Sequence, residues 1–133
     1  MSVRIVRLGS GRGPGEGLRI GTVRRPPRGV PKSEHASQNW YDVWLPNLAP
    51  SAPLVKAALD ARSGREWTSF ARKYRVEMAA PDNARILDLL AALSHHADFS
   101  IGCYCADESR CHRSVLRALL EERGAVVADS ARR

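Results

Sequence analysis

The stretch from Phe99 to Gly124 constrains the fold more than any other part of the chain. Phe99-Ser100-Ile101-Gly102-Cys103-Tyr104-Cys105 has the length and composition of a buried strand, and Ala106 to Arg110 reads as a short polar loop. From Cys111 to Arg123 the apolar residues Val115, Leu116, Leu119 and Leu120 recur at helical spacing, and Gly124 suits the position just past a helix end. A strand running through a tight loop into a helix, with a second strand candidate at Ala125–Ala128, is the unit from which parallel sheets are built.

The rest of the chain extends that pattern. Val3-Arg4-Ile5-Val6-Arg7-Leu8 alternates apolar and charged residues as a half-buried strand does, and Leu18–Val23 is a second strand candidate. Between them lies a loop with five glycines in nine residues, Gly9 to Gly17. It lacks the Gly-Lys-Ser/Thr and the following helix of a phosphate-cradling loop. Residues 24–32 hold three prolines and are expected to form an extended basic loop, residues 33–40 look irregular, and Trp40–Pro46 is a short aromatic strand or turn. Ser51 and Pro53 open a helix that Ser63-Gly64 is expected to close. The next helix places Trp67, Phe70, Ala71, Tyr74 and Met78 on one apolar face, and a third starts at Pro81 with Ile86, Leu87, Leu89, Leu90 and Leu93 as its core face. The expected fold is therefore α/β: a single three-layer domain with a small, mostly parallel sheet covered by helices. Its organisation is a basic glycine-rich strand and loop at 1–17, the α/β domain at 18–128 and a tail at 129–133.

The net charge of +7 is unevenly placed. Residues 1–32 hold eight bases against the single acid Glu16, while the remaining residues carry 13 bases and 13 acids. That asymmetry points to an anionic partner, a phosphate-bearing small molecule or nucleic acid, or else to a solvated basic tail. No apolar run approaches the roughly 18 residues of a membrane span, and the start lacks a secretory leader, so a cytoplasmic protein with no membrane partner is expected. Three cysteines within nine residues form a poor disulfide framework and suit a reducing compartment.

Chemistry is expected at Cys103–Arg113, where the strand-to-helix loop lies at the carboxyl end of the sheet and offers backbone amides and Arg113, with Arg110 beside it, to an anion. Cys105 and Cys111 are candidate thiolate nucleophiles beside a helix start and an arginine, and His112 is a candidate acid or base. Cys103, Cys105, Cys111 and His112 are also the soft donors that zinc takes, although the Cys-x2-4-Cys knuckle is missing and Cys111 and His112 are adjacent. Simple packing of the thiols is the third reading. No cofactor and no metal is assigned. Trp40, Tyr41 and Trp44 follow the basic loop, as either core or a base-stacking surface, and His35 has no evident partner.

Four ordered blocks carry a family resemblance: Arg24-x3-Arg28-Gly29, Trp44-x3-Leu48-Ala49-Pro50-Ser51, Phe70-Ala71-Arg72-Lys73-Tyr74-Arg75-x-Glu77 and Cys105-Ala106-Asp107-Glu108-x2-Cys111-His112-Arg113. Together they resemble the family called domain of unknown function 488, over about residues 20–123, leaving the glycine-rich residues 9–17 outside. The resemblance implies a small cytosolic α/β domain of unestablished activity. YeaO-like members lack the Cys-His-Arg cluster that another branch carries, so the matched positions independent of cysteine are Arg24, Arg28, Tyr74 and Glu77. The leading expectation is an enzyme-like domain in which Arg24, Arg28 and Arg113, with Tyr74, hold a phosphate-bearing ligand, and Glu77, Cys105, Cys111 or His112 carries out proton transfer or attack. A non-catalytic nucleic-acid-binding module and a zinc-stabilised interaction domain are the alternatives. By this division Arg4, Arg7, Arg12 and Arg19 precede the matched blocks and are expected only to tune solubility or non-specific attraction.

Overall fold

Five strands, all parallel, form one sheet in the order β3-β2-β4-β1-β5 in a computed structural model that describes residues 1–128. They are β1 (Val3–Arg7), β2 (Leu18–Gly21), β3 (Val43–Trp44), β4 (Phe99–Cys103) and β5 (Val127–Ala128). The helices are α1 (Ala52–Asp60), α2 (Gly64–Met78), α3 (Pro81–Leu93) and α4 (His112–Glu122). The tail expected at 129–133 lies outside the described residues, and no described helix is long and apolar enough to cross a membrane.

Parallel pairing puts Val3 beside Phe99, Ile5 beside Ile101 and Ile20 beside Ile101, so these side chains share one face. All four helices pack there: Leu54 of α1, Phe70, Tyr74 and Met78 of α2, Leu87 and Leu90 of α3, and Leu116 and Leu120 of α4 join one buried cluster with the strand residues. Trp67, Phe70 and Tyr74 stack along α2, with ring centroids 4.8 and 6.0 Å apart. Leu89 and Leu93, expected in the core, are instead 65% and 38% exposed. The face α3 buries is the narrower Leu87–Leu90–Ala91 stripe, and leucine spacing alone does not define its width. Ser63 opens α2 rather than closing α1: its hydroxyl accepts from the Glu66 amide at 3.1 Å while Glu66 accepts from the Ser63 hydroxyl and the Arg62 amide.

The other face is covered by loop. β1 and β2 both flank β4, so the ten residues between them must return across β4 to the starting edge of the sheet. Gly17 makes that return possible, since it has φ +74° and any Cβ there would run into the Asp98 carbonyl. The loop is fastened by a buried ion pair. Arg19, fully buried on β2, donates from Nε and Nη2 to both oxygens of Glu16 at 2.7 and 3.1 Å. Its Nη1 donates to the carbonyls of Ser10 and Asn39 at 2.8 and 2.7 Å. Ser100 of β4 and the Gly13 amide complete the Glu16 carboxylate at 2.8 and 3.1 Å. Arg19 is thus a core residue and no solubility charge, a correction forced by its burial. Arg12 is likewise committed, bidentate to Asp42 at 2.8 and 3.0 Å. Residues 3–7 are an inner strand of the sheet, continuous with the rest of the domain.

Removing either partner of a buried, fully hydrogen-bonded pair strands the other charge, so Arg19→Ala or Glu16→Ala is expected to cost about 3–5 kcal/mol in urea unfolding. Burial raises the Glu16 pKa, but the hydrogen bonds from Arg19, Ser100 and Gly13 outweigh it and hold the group below its ordinary value. A carboxylate with a depressed folded pKa stabilises above its unfolded pKa and loses that stabilisation as pH falls through the folded value. The wild-type urea midpoint is therefore expected to fall as pH drops below about 4.3, and Glu16→Gln, already destabilised at neutral pH, should show a flatter profile there.

Candidate functional site

The carboxyl ends of β1, β2 and β4 meet at one edge, and a cleft of about 1190 Å³ opens there. Its walls come from both segments that the sequence singled out, with Arg24, Arg25 and Arg28 on one side and Cys103, Cys105, Arg110, Cys111 and His112 on the other. A direct bond joins the two sides, the Tyr104 hydroxyl donating to the Arg25 carbonyl at 2.9 Å. Arg7, Arg24, Arg25, Arg28, Lys56 and Arg110 line the cleft against the single acid Asp60, which Lys56 already pairs at 3.0 Å. Arg24 is half-buried and tied to the carbonyls of Pro50 and Ala49 at 3.0 and 3.1 Å. The side chains of Arg25 and Arg28 are exposed and make no hydrogen bond or ion pair among the described residues. Trp40, half-buried, forms another part of the wall, edge-on to Tyr104 at 5.8 Å.

The thiols sit together on the cleft floor. β4 ends at Cys103, short of the expected Cys105, because the chain turns there into a 3-10 turn at Glu108–Arg110 that Asp107 caps and the Glu108–Arg117 pair anchors at 2.8 Å. Cys111 is the residue before α4 and offers no side-chain cap. Cys103 and Cys111 are buried, and Cys105 is half-buried. The Cys103 thiol lies 3.8 Å from Cys105 Sγ, and Cys111 Sγ lies 3.7 Å from His112 Nδ1. His112 Nε2 meets the Thr22 carbonyl at 2.7 Å; an acceptor there fixes the proton on Nε2 and leaves Nδ1 as the lone-pair nitrogen. Thr22 is held in turn to the Gly102 carbonyl through its amide and hydroxyl, both at 3.0 Å.

Hydrogen bonds from Cys103 and then Cys111, with the charge of Arg113, hold the Cys105 thiol down at about 3. Cys103 is pushed well up by its bonds to Cys105 and Cys111 and by burial. Cys111 is lowered, first by Cys103 and then by His112. Arg113 is buried, its Nη2 donates to the Cys105 carbonyl at 2.6 Å, and its Nε has no partner.

Three of the candidate residues lie outside the cleft lining: Arg113, buried behind the Cys105 carbonyl, and Tyr74 and Glu77. Tyr74 is fully buried, donates to the Leu48 carbonyl at 2.6 Å and presents its ring edge-on to His112, centroids 5.6 Å apart. Glu77 accepts from the Ser51 amide at 2.9 Å and so fixes the start of α1. Of the other aromatics, Tyr41 is buried and Trp44 exposed, and His35 does have partners, the Val30 carbonyl at 3.1 Å and the Tyr41 ring. Thr22 was missed by sequence reasoning, since a threonine at a strand end carries no motif.

A small parallel α/β domain with a basic cleft and a thiol–imidazole floor is the class of protein that these features define. The chain belongs to the DUF488 family: residues 3–124 match the family model DUF488-N3a, described as an active DUF488-N3 subclade. That match takes in the glycine-rich residues 9–17, which the four blocks had left outside, and it fits their place across the sheet. No curated protein and no solved structure matches the chain.

Tyr74→Phe removes a buried hydrogen bond and leaves the shape unchanged, so a loss of about 1–2 kcal/mol is expected in thermal or urea unfolding.

Proposed function

We propose that the cleft binds a phosphate-bearing ligand of nucleotide size and that the chain acts on it at the thiol–imidazole floor. The observation that carries this reading is the meeting of Arg25 and Arg28, cations with no internal partner, with Cys105 and Arg110 in one cleft. Unpaired guanidinium groups at a sheet's carboxyl edge suit bidentate contact with phosphate oxygens. The volume accommodates a nucleotide, and the Trp40 indole gives the wall a surface on which a base can stack.

In this reading Arg24 shapes the wall, Arg113 holds the Cys105 backbone, and Tyr74 and Glu77 are positioning residues behind His112 and at the start of α1. Cys105 is the half-buried thiol facing the ligand, with Cys111 and His112 behind it. A nucleic-acid module built on a free basic tail has less support, because Arg12 and Arg19 are spent on Asp42 and Glu16.

Titration of the full chain with a panel of nucleotides and short oligonucleotides tests the reading. Arg28→Ala and Arg25→Ala are expected to weaken binding about tenfold each and to lower the salt dependence by about one phosphate contact. Equal affinity in wild type and both variants, or no binding by any member of the panel, would sink the idea. Deleting residues 1–32 is no substitute, since it removes β1 and β2 from the sheet.

A further inference from the structure

The floor of the cleft groups donors in a way that the ligand reading does not require. Cys103, Cys111 and His112 place Sγ, Sγ and a ring nitrogen all within 4.8 Å of one another, and all three residues are buried. A fourth soft donor, Cys105 Sγ, stands 3.8 Å from Cys103 Sγ on the cleft side. Tetrahedral Zn–S bonds of about 2.3 Å put two sulfurs about 3.8 Å apart, and a sulfur and an imidazole nitrogen about 3.6 Å apart. The separations of 3.8 Å between the Cys103 and Cys105 sulfurs and 3.7 Å between Cys111 Sγ and His112 Nδ1 match two edges of such a tetrahedron.

We infer that Cys103, Cys111 and His112 hold a zinc ion, with Cys105 as the fourth donor facing the cleft. The imidazole is already arranged as a metal ligand: Nε2–H is used by the Thr22 carbonyl at 2.7 Å, which fixes the ring and aims the Nδ1 lone pair at the thiols. Three thiolates and a neutral imidazole around Zn²⁺ carry one net negative charge, and the buried Arg113, bonded to the Cys105 carbonyl, supplies the opposite one. Its partnerless Nε leaves a donor free for a thiolate. Soft thiolate and imidazole donors select zinc over magnesium or calcium. The absent Cys-x2-4-Cys knuckle is no obstacle, because the end of β4 and the start of α4 supply the convergence that a knuckle supplies elsewhere. The adjacency of Cys111 and His112 is workable because Cys111 precedes the helix in extended conformation, at φ −130° and ψ 151°, while His112 begins it.

The inference is independent of what the arginines bind, but it recasts Cys105, Cys111 and His112, read above as the reactive floor, as metal ligands; metal content is read with no ligand present. The full wild-type chain, purified under reducing conditions in zinc-containing medium, is expected to carry one zinc per chain by elemental analysis. After chelation, Co²⁺ is expected to restore a thiolate-to-metal charge-transfer band and the strong visible absorption of tetrahedral cobalt, both displaced by Zn²⁺. Cys111→Ser should lose the metal, and Cys105→Ser, on the open side, should retain it with a weaker charge-transfer band. Wild-type protein that carries no zinc and gives no tetrahedral cobalt spectrum overturns the proposal without recourse to any variant. A Cys105→Ser spectrum identical to wild type overturns the four-donor set.

Discussion

Everything on the loop side of the sheet hangs on the Arg19 guanidinium. A parallel sheet normally meets helices on both faces, and here one face meets chain with no periodic apolar stripe to bury. The substitute is polar. One guanidinium with its donors distributed over Glu16, Ser10 and Asn39 ties two separate segments, the β1–β2 loop and the turn at Asn39, to β2, and Ser100 carries the connection to β4. Such a device has strict geometry and little tolerance. An apolar layer can repack around a changed side chain, whereas a buried charge that loses a partner has nowhere to go.

This arrangement is also what builds the cleft. With Arg19 holding the Asn39 carbonyl, the turn at Asn39 is fixed, in a left-handed conformation at φ 63°, and the next residue, Trp40, is delivered to the cleft wall. The Gly9 amide donates to the same carbonyl at 2.9 Å, so the segment after β1 is tied to the turn that carries the Trp40 wall. The basic side of the cleft is placed by a second set of contacts, Arg24 on Pro50 and Ala49 and Tyr104 on Arg25. Two polar networks, neither part of the apolar core, thus decide where the free arginines stand relative to the thiols.

The parts of the fold governed by periodicity were legible in the sequence. The apolar faces of α2 and α4, the buried run of β4 and the edge strand at Val127–Ala128 all follow from spacing that a chain cannot disguise. The site was legible in its residues and not in its assembly: Cys105, Cys111, His112 and Arg28 carry recognisable chemistry, but nothing local says that residues 24–28 and 103–112 share a cleft. Arg19 was misjudged because an arginine in an alternating strand resembles any surface arginine until its partner is known, and Glu16 hides among glycines. Tyr74 and Glu77 matched the family blocks, yet their contacts with Leu48 and Ser51 explain that match by packing as readily as by ligand binding.

The order of the strands has a consequence for how the molecule is made. Val3 pairs with Phe99 and Val127, so β1 has no partner until nearly the whole chain has been synthesised, whereas β2 and β3 pair over a short interval, Ile20 with Val43. Distant pairing slows folding and leaves an apolar strand waiting, open to the wrong neighbour. Val3-Arg4-Ile5-Val6-Arg7 places a positive charge at its second and fifth positions. Charges interleaved with apolar residues in this way disfavour wrong pairing of an open strand, so Arg4 and Arg7 bear on the unpaired strand as well as on the folded sheet.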